Sequence, residues 1–238
     1  MKILAIDCTA GPASAALLED GKIISSCYTN IGLTDSQTLM PMTQNALKHA
    51  KLELKDIDFF AINAGPGSFT GVRIGAAALK GLTLFRGDCI VPVSTLESMA
   101  YNYVGVRDCA VVGAMDARRK QVYTGTFQVS GNSVTRLTED DAIPIEKLGE
   151  DLAARNDDIV LVGDGAELCY NTLCPKLPGL VLAPPQLRYQ NAVSVALCAA
   201  QKLENGFSPI SSEKLLPVYL RAPQAERELK RRNQSETK

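Results

Sequence analysis

The sequence predicts an α/β protein of two similar domains, each with a mixed β-sheet and helices on its faces. Three apolar, β-rich runs open the chain, and three more follow a polar boundary at residues 104–108. In both halves a helical pattern, a further strand and a further helix come next, so a βββαβα unit occurs twice. We therefore expect domains at residues 1–105 and 106–221, followed by a polar, flexible tail at 222–238.

Each element rests on local patterning. Glu19-Asp20-Gly21 indicates a hairpin between two strands. Leu39, Met42 and Ala46 recur at helical spacing after the helix-capping residues 34–36. The predicted strands are residues 2–7, 13–18, 23–28, 59–64, 89–93, 109–115, 121–129, 133–138, 159–163 and 180–183. The predicted helices are 36–50, 68–86, 94–103, 144–156, a helix from 166, and 189–203.

Composition limits the function classes. The 238 residues carry a formal net charge of −1, which favours neither nucleic acid nor a membrane surface. The chain has no Trp and only 5% aromatic residues, which argues against base-stacking platforms. Its seven cysteines include no C-x-x-C pair, so we interpret them as reduced thiols of a cytoplasmic protein. We expect no membrane segment and, with His49 as the one histidine, no histidine metal site.

The stretch at residues 58–86 organises the first domain as a strand, a tight turn and a helix. Gly65-Pro66-Gly67 forms the turn, and Ser68 or Thr70 caps the helix. Gly71, Gly75 and Ala78 then form a stripe of small residues. Interior glycine costs a helix roughly 1 kcal/mol relative to alanine, so the stripe indicates close approach of another backbone.

Two kinds of ligand site are open on the residues alone. The turn is not a dinucleotide fingerprint, because Thr70 stands where the third glycine would be, and it is not a Walker loop, because Val72 stands where the lysine would be. The N-terminus of the helix that follows is still able to hold an anion. Asp7 and Asp116 end equivalent strands, where an aspartate holds hydrated magnesium or simply forms a turn. With the Gly163-Asp164-Gly165 loop, they make Asp7, Asp116, Gly163 and Gly165 weak candidates for nucleotide binding.

The tail is basic, with Arg227, Lys230, Arg231 and Arg232 in a short stretch. It is either a solvated chain end or a contact for RNA phosphates.

The segment at residues 64–75, Ala-Gly-Pro-Gly-Ser-Phe-Thr-Gly-Val-Arg-Ile-Gly, resembles the signature of the bacterial TsaB (YeaZ) family. Further family motifs follow in the right order. They are Ile6-Asp7, Val93-Ser94-Thr95-Leu96-Glu97, Met115-Asp116-Ala117-Arg118, Val122-Tyr123, Gly163-Asp164-Gly165 and Pro217-Val218-Tyr219-Leu220-Arg221. The resemblance covers residues 1 to about 221 and implies an actin-like ATPase fold of two ribonuclease-H-like domains.

The resemblance also implies a function. It points to a non-catalytic subunit needed for threonylcarbamoylation of the adenosine next to the tRNA anticodon. The expected partners are the catalytic paralogue TsaD, the ATPase TsaE, tRNA through the complex, and a second copy of the chain. No cofactor is expected for the chain alone, while ATP or ADP and magnesium are possible at the interface of the complex. No catalytic or metal-binding residue is expected, and protease activity is unsupported.

The expected partner interface lies on the first two helices, with small residues that let backbones approach. Its predicted residues are Leu39, Met42, Ala46, Gly71, Val72, Gly75, Ala76 and Leu79. The signature loop comprises Gly65, Pro66, Gly67, Ser68, Phe69 and Thr70, with Arg73 one turn further on. Many relatives have a histidine where this chain has Asp35. The alternative function is an independent ATP-binding or ATP-hydrolysing protein of the actin-like fold.

Overall fold

A computed structural model describes residues 1–32, 35–155 and 157–221 of the chain. The predicted tail at 222–238, with its proposed RNA contact, lies outside these described residues. Within them, no helix has the length and apolar character needed to cross a membrane.

The first sheet places the ends of three parallel strands at one edge. Its strands are β1 (Lys2–Asp7), β2 (Ala13–Glu19), β3 (Lys22–Thr29), β4 (Phe59–Asn63) and β5 (Ile90–Val93), in the order β3-β2-β1-β4-β5. β1, β2 and β3 pair antiparallel, whereas β1, β4 and β5 are parallel. The carboxyl ends of β1, β4 and β5 therefore meet at one edge, where ligands of α/β sheets commonly bind.

The second sheet repeats this arrangement. Its strands are β6 (Cys109–Asp116), β7 (Gln121–Ser130), β8 (Ser133–Arg136), β9 (Asp141–Pro144), β10 (Ile159–Val162) and β11 (Leu180–Leu182). Their order is β11-β10-β6-β7-β8, and β9 pairs with the other end of β7. The two predicted mixed sheets are thus confirmed. The strand β9 was not predicted, since four residues that end in a proline carry little β-pattern.

The helices are α1 (Asp35–Ala50), α2 (Phe69–Leu82), α3 (Thr95–Ala100), α4 (Ile145–Ala153), α5 (Ala166–Leu173), α6 (Pro185–Arg188) and α7 (Ala192–Glu204). Helices α1 and α2 bury residues such as Leu39 and Leu79 against the first sheet. Helices α4 and α5 do the same on the second sheet through Leu148 and Cys169. Each sheet thereby has one face covered by helices of its own half.

Two helices cross between the halves. Leu96 and Met99 of α3 pack with Val111 and Phe127 of the second sheet. Helix α7 instead packs its buried face against the first sheet, next to Ile3 and Ala5. The predicted boundary at residues 105 and 106 separates the two sheets, whereas the last helix, α7, packs on the first sheet. The division into domains stays a prediction.

A buried polar network joins the turn that follows α3 to the start of α7. The side chain of Asn102 accepts hydrogen bonds from Asn191 and Ser194, and it donates to the Leu187 and Tyr189 carbonyls. Because these groups are largely withdrawn from water, their pairing fixes one arrangement of the two halves.

Candidate functional site

A cleft of about 530 Å³ lies where the carboxyl ends of the two sheets face each other. The first half contributes residues 9–11 and the signature loop, and the second half contributes residues 115–118 and Asp164. Residues 218–221 close one side. We call residues 217–221 the C-terminal strap.

The glycines of the signature loop are required by close backbone contacts. A Cβ atom on Gly65 would lie 2.4 Å from the Val218 carbonyl oxygen, and Gly65 also has a positive φ of 123°. A Cβ atom on Gly67 would lie 2.3 Å from the carbonyl oxygen of Thr9. The loop is therefore pressed between the strap and the β1–β2 turn, which leaves space for no side chain at either position.

The helix start beyond this loop serves the fold. The Ser68 side chain caps α2 by accepting a hydrogen bond from the Gly71 N–H at 3.3 Å. The Ser68 N–H donates to the Thr9 carbonyl at 2.6 Å. The capping prediction is confirmed for Ser68. The Ser68 and Gly71 N–H groups are thus engaged within the fold, while the anion site at this helix start stays a prediction.

The strap is held by an aromatic and cationic cluster. The Phe69 and Tyr219 rings stack with centroids 4.6 Å apart. The Arg73 guanidinium lies 3.8 Å from the Phe69 ring centroid, and its Nε donates to the Tyr219 hydroxyl at 2.9 Å. Two residues of the family motif, Phe69 and Arg73, thus fasten the strap to α2.

The strap also joins the two halves across the cleft. The Val218 N–H donates to the Ala64 carbonyl at 2.7 Å in the first half. Three residues later, an Arg221 guanidinium N–H donates to the Ala117 carbonyl at 3.0 Å in the second half. The motif containing Tyr219 and Arg221 therefore has a structural role that the sequence analysis did not assign.

Asp7 is buried at the end of β1 and is not among the residues that line the cleft. Its carboxylate is 1% exposed, and Oδ1 accepts hydrogen bonds from the Thr9 hydroxyl and from Asn63 Nδ2, both at 2.8 Å. A buried carboxylate engaged in this way ties the end of β1 to the end of β4. The geometry does not fit a hydrated magnesium ion, which needs a carboxylate open to its water shell.

Asp116 and Asp164 are the acidic groups at the cleft. The Asp116 N–H donates to the Asp164 carboxylate at 3.1 Å, while Asp116 itself caps the Arg118 N–H at 2.7 Å. Desolvation by the surrounding atoms raises the pKa of the Asp164 carboxyl, although the residue as a whole is exposed. The hydrogen bond from Asp116 acts in the opposite direction. Within the described residues, no group of three or more His, Cys, Asp or Glu residues is placed to hold a metal ion.

Gly163 and Gly165 hold α5 against β6. Their Cβ positions would lie 2.2 Å from the Ala114 carbonyl oxygen and 2.9 Å from the Asp116 nitrogen, respectively. Their N–H groups donate to the carbonyls of Arg188 and Ala114. Because both donors are engaged within the fold, the geometry does not favour these glycines as nucleotide ligands.

The residues predicted for the partner interface mostly face the protein's own core. Leu39, Ala46, Val72, Ala76 and Leu79 are all less than 10% exposed, and Gly71 is buried. A Cβ atom on Gly75 would lie 3.2 Å from Ile62 Cδ1 and 3.3 Å from Cys8 Sγ. The backbone approach that the stripe indicates is therefore made by the first sheet of the same chain. Met42 alone among the predicted residues remains partly exposed.

The opposite side of α2 is exposed and carries small and apolar residues beside Thr70, Arg73 and Lys80. We call Ile74, Ala77, Ala78, Gly81, Leu84 and Phe85 the α2 outer face. Ile74 and Ala78 are partly exposed, and Ala77 and Gly81 are exposed. Leu84 is 56% exposed and Phe85 is 95% exposed. Sequence periodicity did not reveal this face, because apolar and small residues occur all around the helix.

Comparison with solved structures first defines the class. A hexokinase of the ROK family from Thermus thermophilus superposes with a TM-score of 0.50 at 12% identity, over 85% of this chain and all of that one. This likeness shows the fold alone. With the repeated sheets and the cleft between them, it makes the chain a member of the actin-like class with two ribonuclease-H-like units, as the sequence analysis expected.

The particular family follows from sequence relatives. A family model described as "TsaD: tRNA N6-adenosine threonylcarbamoyltransferase" matches residues 34–229. The Escherichia coli K12 protein named tRNA threonylcarbamoyladenosine biosynthesis protein TsaB is 32% identical over 223 residues, which covers 93% of this chain and 95% of the relative. The structure of YeaZ from Pseudomonas aeruginosa superposes with a TM-score of 0.76 at 26% identity, covering 92% of this chain and 99% of that one. The chain belongs to the TsaB (YeaZ) family.

Proposed function

We propose that the chain takes part in threonylcarbamoyladenosine biosynthesis on tRNA as a non-catalytic scaffold in the cytoplasm. In this proposal it pairs with the catalytic subunit TsaD, supports a complex with the ATPase TsaE, and pairs with itself when alone. Family membership supports the pathway, since the curated relative carries this function in its name. In this proposal nucleotide and magnesium bind where the assembled subunits meet.

The α2 outer face is the observation that carries the scaffold role. Leu84 and Phe85 expose large apolar side chains just beyond the end of α2, next to the exposed small residues Ala77 and Gly81. The charged residues on the exposed side of this helix are Arg73 and Lys80. A Cβ atom on Gly81 would meet nothing within 4 Å, so no contact with the part of the chain that the structure describes requires glycine there. Contiguous apolar surface of this kind marks interaction sites, and small residues let a second helix approach closely.

One face then serves both assemblies. Phe85 also has a positive φ of 66°, which is unfavourable for a bulky residue. Exposed apolar side chains and an unfavourable backbone conformation cost free energy in the isolated chain, and burial of the apolar side chains by a partner offsets that cost. Because a homodimer and a TsaD heterodimer would use the same helix, they compete for it. The partner surface is thus moved from the buried residues of the sequence prediction to the exposed side of the same helix.

The substitution Ala77→Arg tests this proposal. Ala77 is exposed, and arginine is a good helix former, so the thermal midpoint of the free chain should stay unchanged. In a close helix contact the added side chain costs about 1–3 kcal/mol. That corresponds to roughly a ten- to hundredfold weaker affinity for TsaD, measured by calorimetry.

The matched control is Ala153→Arg, at an exposed position of α4 in the second half. It should bind TsaD as the unaltered chain does. Equal affinities for both variants would contradict the proposed face, and failure of the unaltered chain to bind TsaD would contradict the scaffold role itself.

A further inference from the structure

The turn between β6 and β7 carries three consecutive cationic residues, Arg118, Arg119 and Lys120, which we call the basic turn. All three are exposed, and the Arg118 side chain is 84% exposed. In a chain with a net charge of −1, this is a local concentration of positive charge.

The backbone of the basic turn is unusual. Its residues have φ values of 66°, 57° and 58° in sequence order. The left-handed region is unfavourable for residues that carry a Cβ atom, and a run of three such residues is rare. Strained backbone of this kind tends to occur where function requires a fixed presentation of side chains.

The fold itself makes little use of these charges. Arg118 lies 3.7 Å from the Asp116 carboxylate, a loose and exposed ion pair. Among the described residues, the side chains of Arg119 and Lys120 have no hydrogen-bond or ion-pair partner. The turn therefore displays at least two cations that no contact within residues 1–32, 35–155 and 157–221 explains.

A fourth cation reinforces the patch. The Arg221 guanidinium bonds to the Ala117 carbonyl, directly before the basic turn. Both Arg118 and Arg221 line the cleft, so the positive charge lies along its rim. The two acids that line the cleft, Asp116 and Asp164, balance the charges of Arg118 and Arg221, so the excess of positive charge comes from Arg119 and Lys120 of the basic turn.

From this arrangement we infer that the basic turn is an RNA-contacting surface that binds backbone phosphates. Guanidinium groups suit phosphate oxygens because they donate in pairs, and contact with phosphates positions an RNA without reading its sequence. The inference rests on the proposed function, which supplies an RNA substrate to the assembled complex. It assigns this contact to described residues, separately from the basic tail.

The test measures binding of a fluorescent, unmodified tRNA transcript to the complex with TsaD across a range of salt concentrations. The double variant Arg119→Gln/Lys120→Gln removes two charges. Each phosphate contact contributes about 0.7–0.9 to the slope of log affinity against log salt. The slope should therefore become shallower by roughly 1.4–1.8, with weaker binding at low salt.

Two further variants serve as controls. Lys22→Gln/Lys176→Gln removes the same charge from exposed positions at the opposite ends of the sheets and should leave the slope unchanged. Arg119→Lys/Lys120→Arg keeps the charge and should keep the slope. All variants should have the thermal midpoint of the unaltered chain, since the substituted side chains are exposed.

Identical salt slopes for the basic-turn variant, the control and the unaltered chain would overturn the inference. The proposed function would still stand in that case if the unaltered complex modified tRNA. Loss of TsaD binding without a change in slope would also overturn it, because the turn would then bind an acidic protein surface. If the unaltered chain had no effect on tRNA modification, the proposed function would fail instead.

Discussion

Arg73 and Tyr219 connect the helix of the signature motif to the C-terminal strap. Arg73 Nε donates to the Tyr219 hydroxyl at 2.9 Å, and the Tyr219 ring stacks on Phe69. The strap then continues to Arg221, which bonds to the second half. This contact therefore contributes to holding both halves of the cleft in place.

Replacing Tyr219 by alanine should destabilise the chain by about 1–2 kcal/mol, because both the stacking contact and the hydrogen bond are lost. Tyr219→Phe keeps the ring and should cost less than about 1 kcal/mol. Urea unfolding of both variants checks the prediction. Equal losses would mean that the ring contact adds nothing to stability.

Substitutions at two glycines of α2 should have opposite effects. Gly75→Leu places a side chain against Ile62 and Cys8, where a Cβ atom alone is already at 3.2–3.3 Å, and should destabilise by about 1–3 kcal/mol. Gly81→Ala extends into open space and should stabilise by up to about 1 kcal/mol. Thermal unfolding of the two variants provides the comparison. A Gly75→Leu protein as stable as the unaltered chain would show that this side of α2 is not packed on its own sheet.

Gly163→Ala separates a structural role from a nucleotide role. The new Cβ atom would lie 2.2 Å from the Ala114 carbonyl oxygen, at a φ of 105°. Overpacking and backbone strain together should cost at least about 2 kcal/mol of stability. Gly179→Ala is the control, because a Cβ atom there meets nothing within 4 Å. Unchanged stability of Gly163→Ala, combined with loss of ATP binding, would favour the nucleotide role.

Asp164 should make stability depend on pH in a specific direction. Desolvation raises its pKa in the folded chain, so the folded state holds this proton more tightly than the unfolded state does. The contribution of this carboxyl group to the free energy of unfolding is therefore fully present at low pH and is lost as the pH rises through its folded pKa. Asp164→Asn should raise stability at pH 7 relative to the unaltered chain, and this gain should vanish in acid.

The effect should be modest, since the Asp164 side chain keeps contact with solvent. Glu167→Gln, which removes an exposed charge of α5 with a loose 3.4 Å ion pair to Arg188, is the control for loss of one negative charge nearby. Urea unfolding at several pH values gives the comparison. A gain from Asp164→Asn that is the same in acid and at pH 7 would contradict the role of its titration.

The strands were predictable because hairpin signals and apolar runs are local. The packing of α3 on the second sheet and of α7 on the first was not predictable. An amphipathic pattern shows which side of a helix is buried but not which sheet buries it. The contact between Arg73 and Tyr219 spans 146 positions and left no periodic signal. Its two motifs were visible only as separate parts of the family resemblance.

The stripe of α2 shows the same limit. Gly75 correctly indicated a close approach, yet small residues accommodate a neighbouring sheet and a second subunit equally well. The structure places Ile62 and Cys8 against it. Asp7 illustrates a related limit: a strand-end aspartate has the same sequence pattern whether it binds a metal ion or, as its hydrogen bonds to Thr9 and Asn63 indicate, joins two strand ends.

The central claim is that the chain acts by assembly and contributes no chemical group to the reaction. The most direct measurement is the rate of threonylcarbamoyladenosine formation by TsaD and TsaE on a tRNA transcript, titrated with this chain. Ala77→Arg should require at least tenfold more protein to reach the same maximal rate, in line with the affinity loss expected for a disturbed contact. Asp116→Asn should follow the curve of the unaltered chain. A maximal rate lowered by orders of magnitude for Asp116→Asn, or an unaltered curve for Ala77→Arg, would contradict the account.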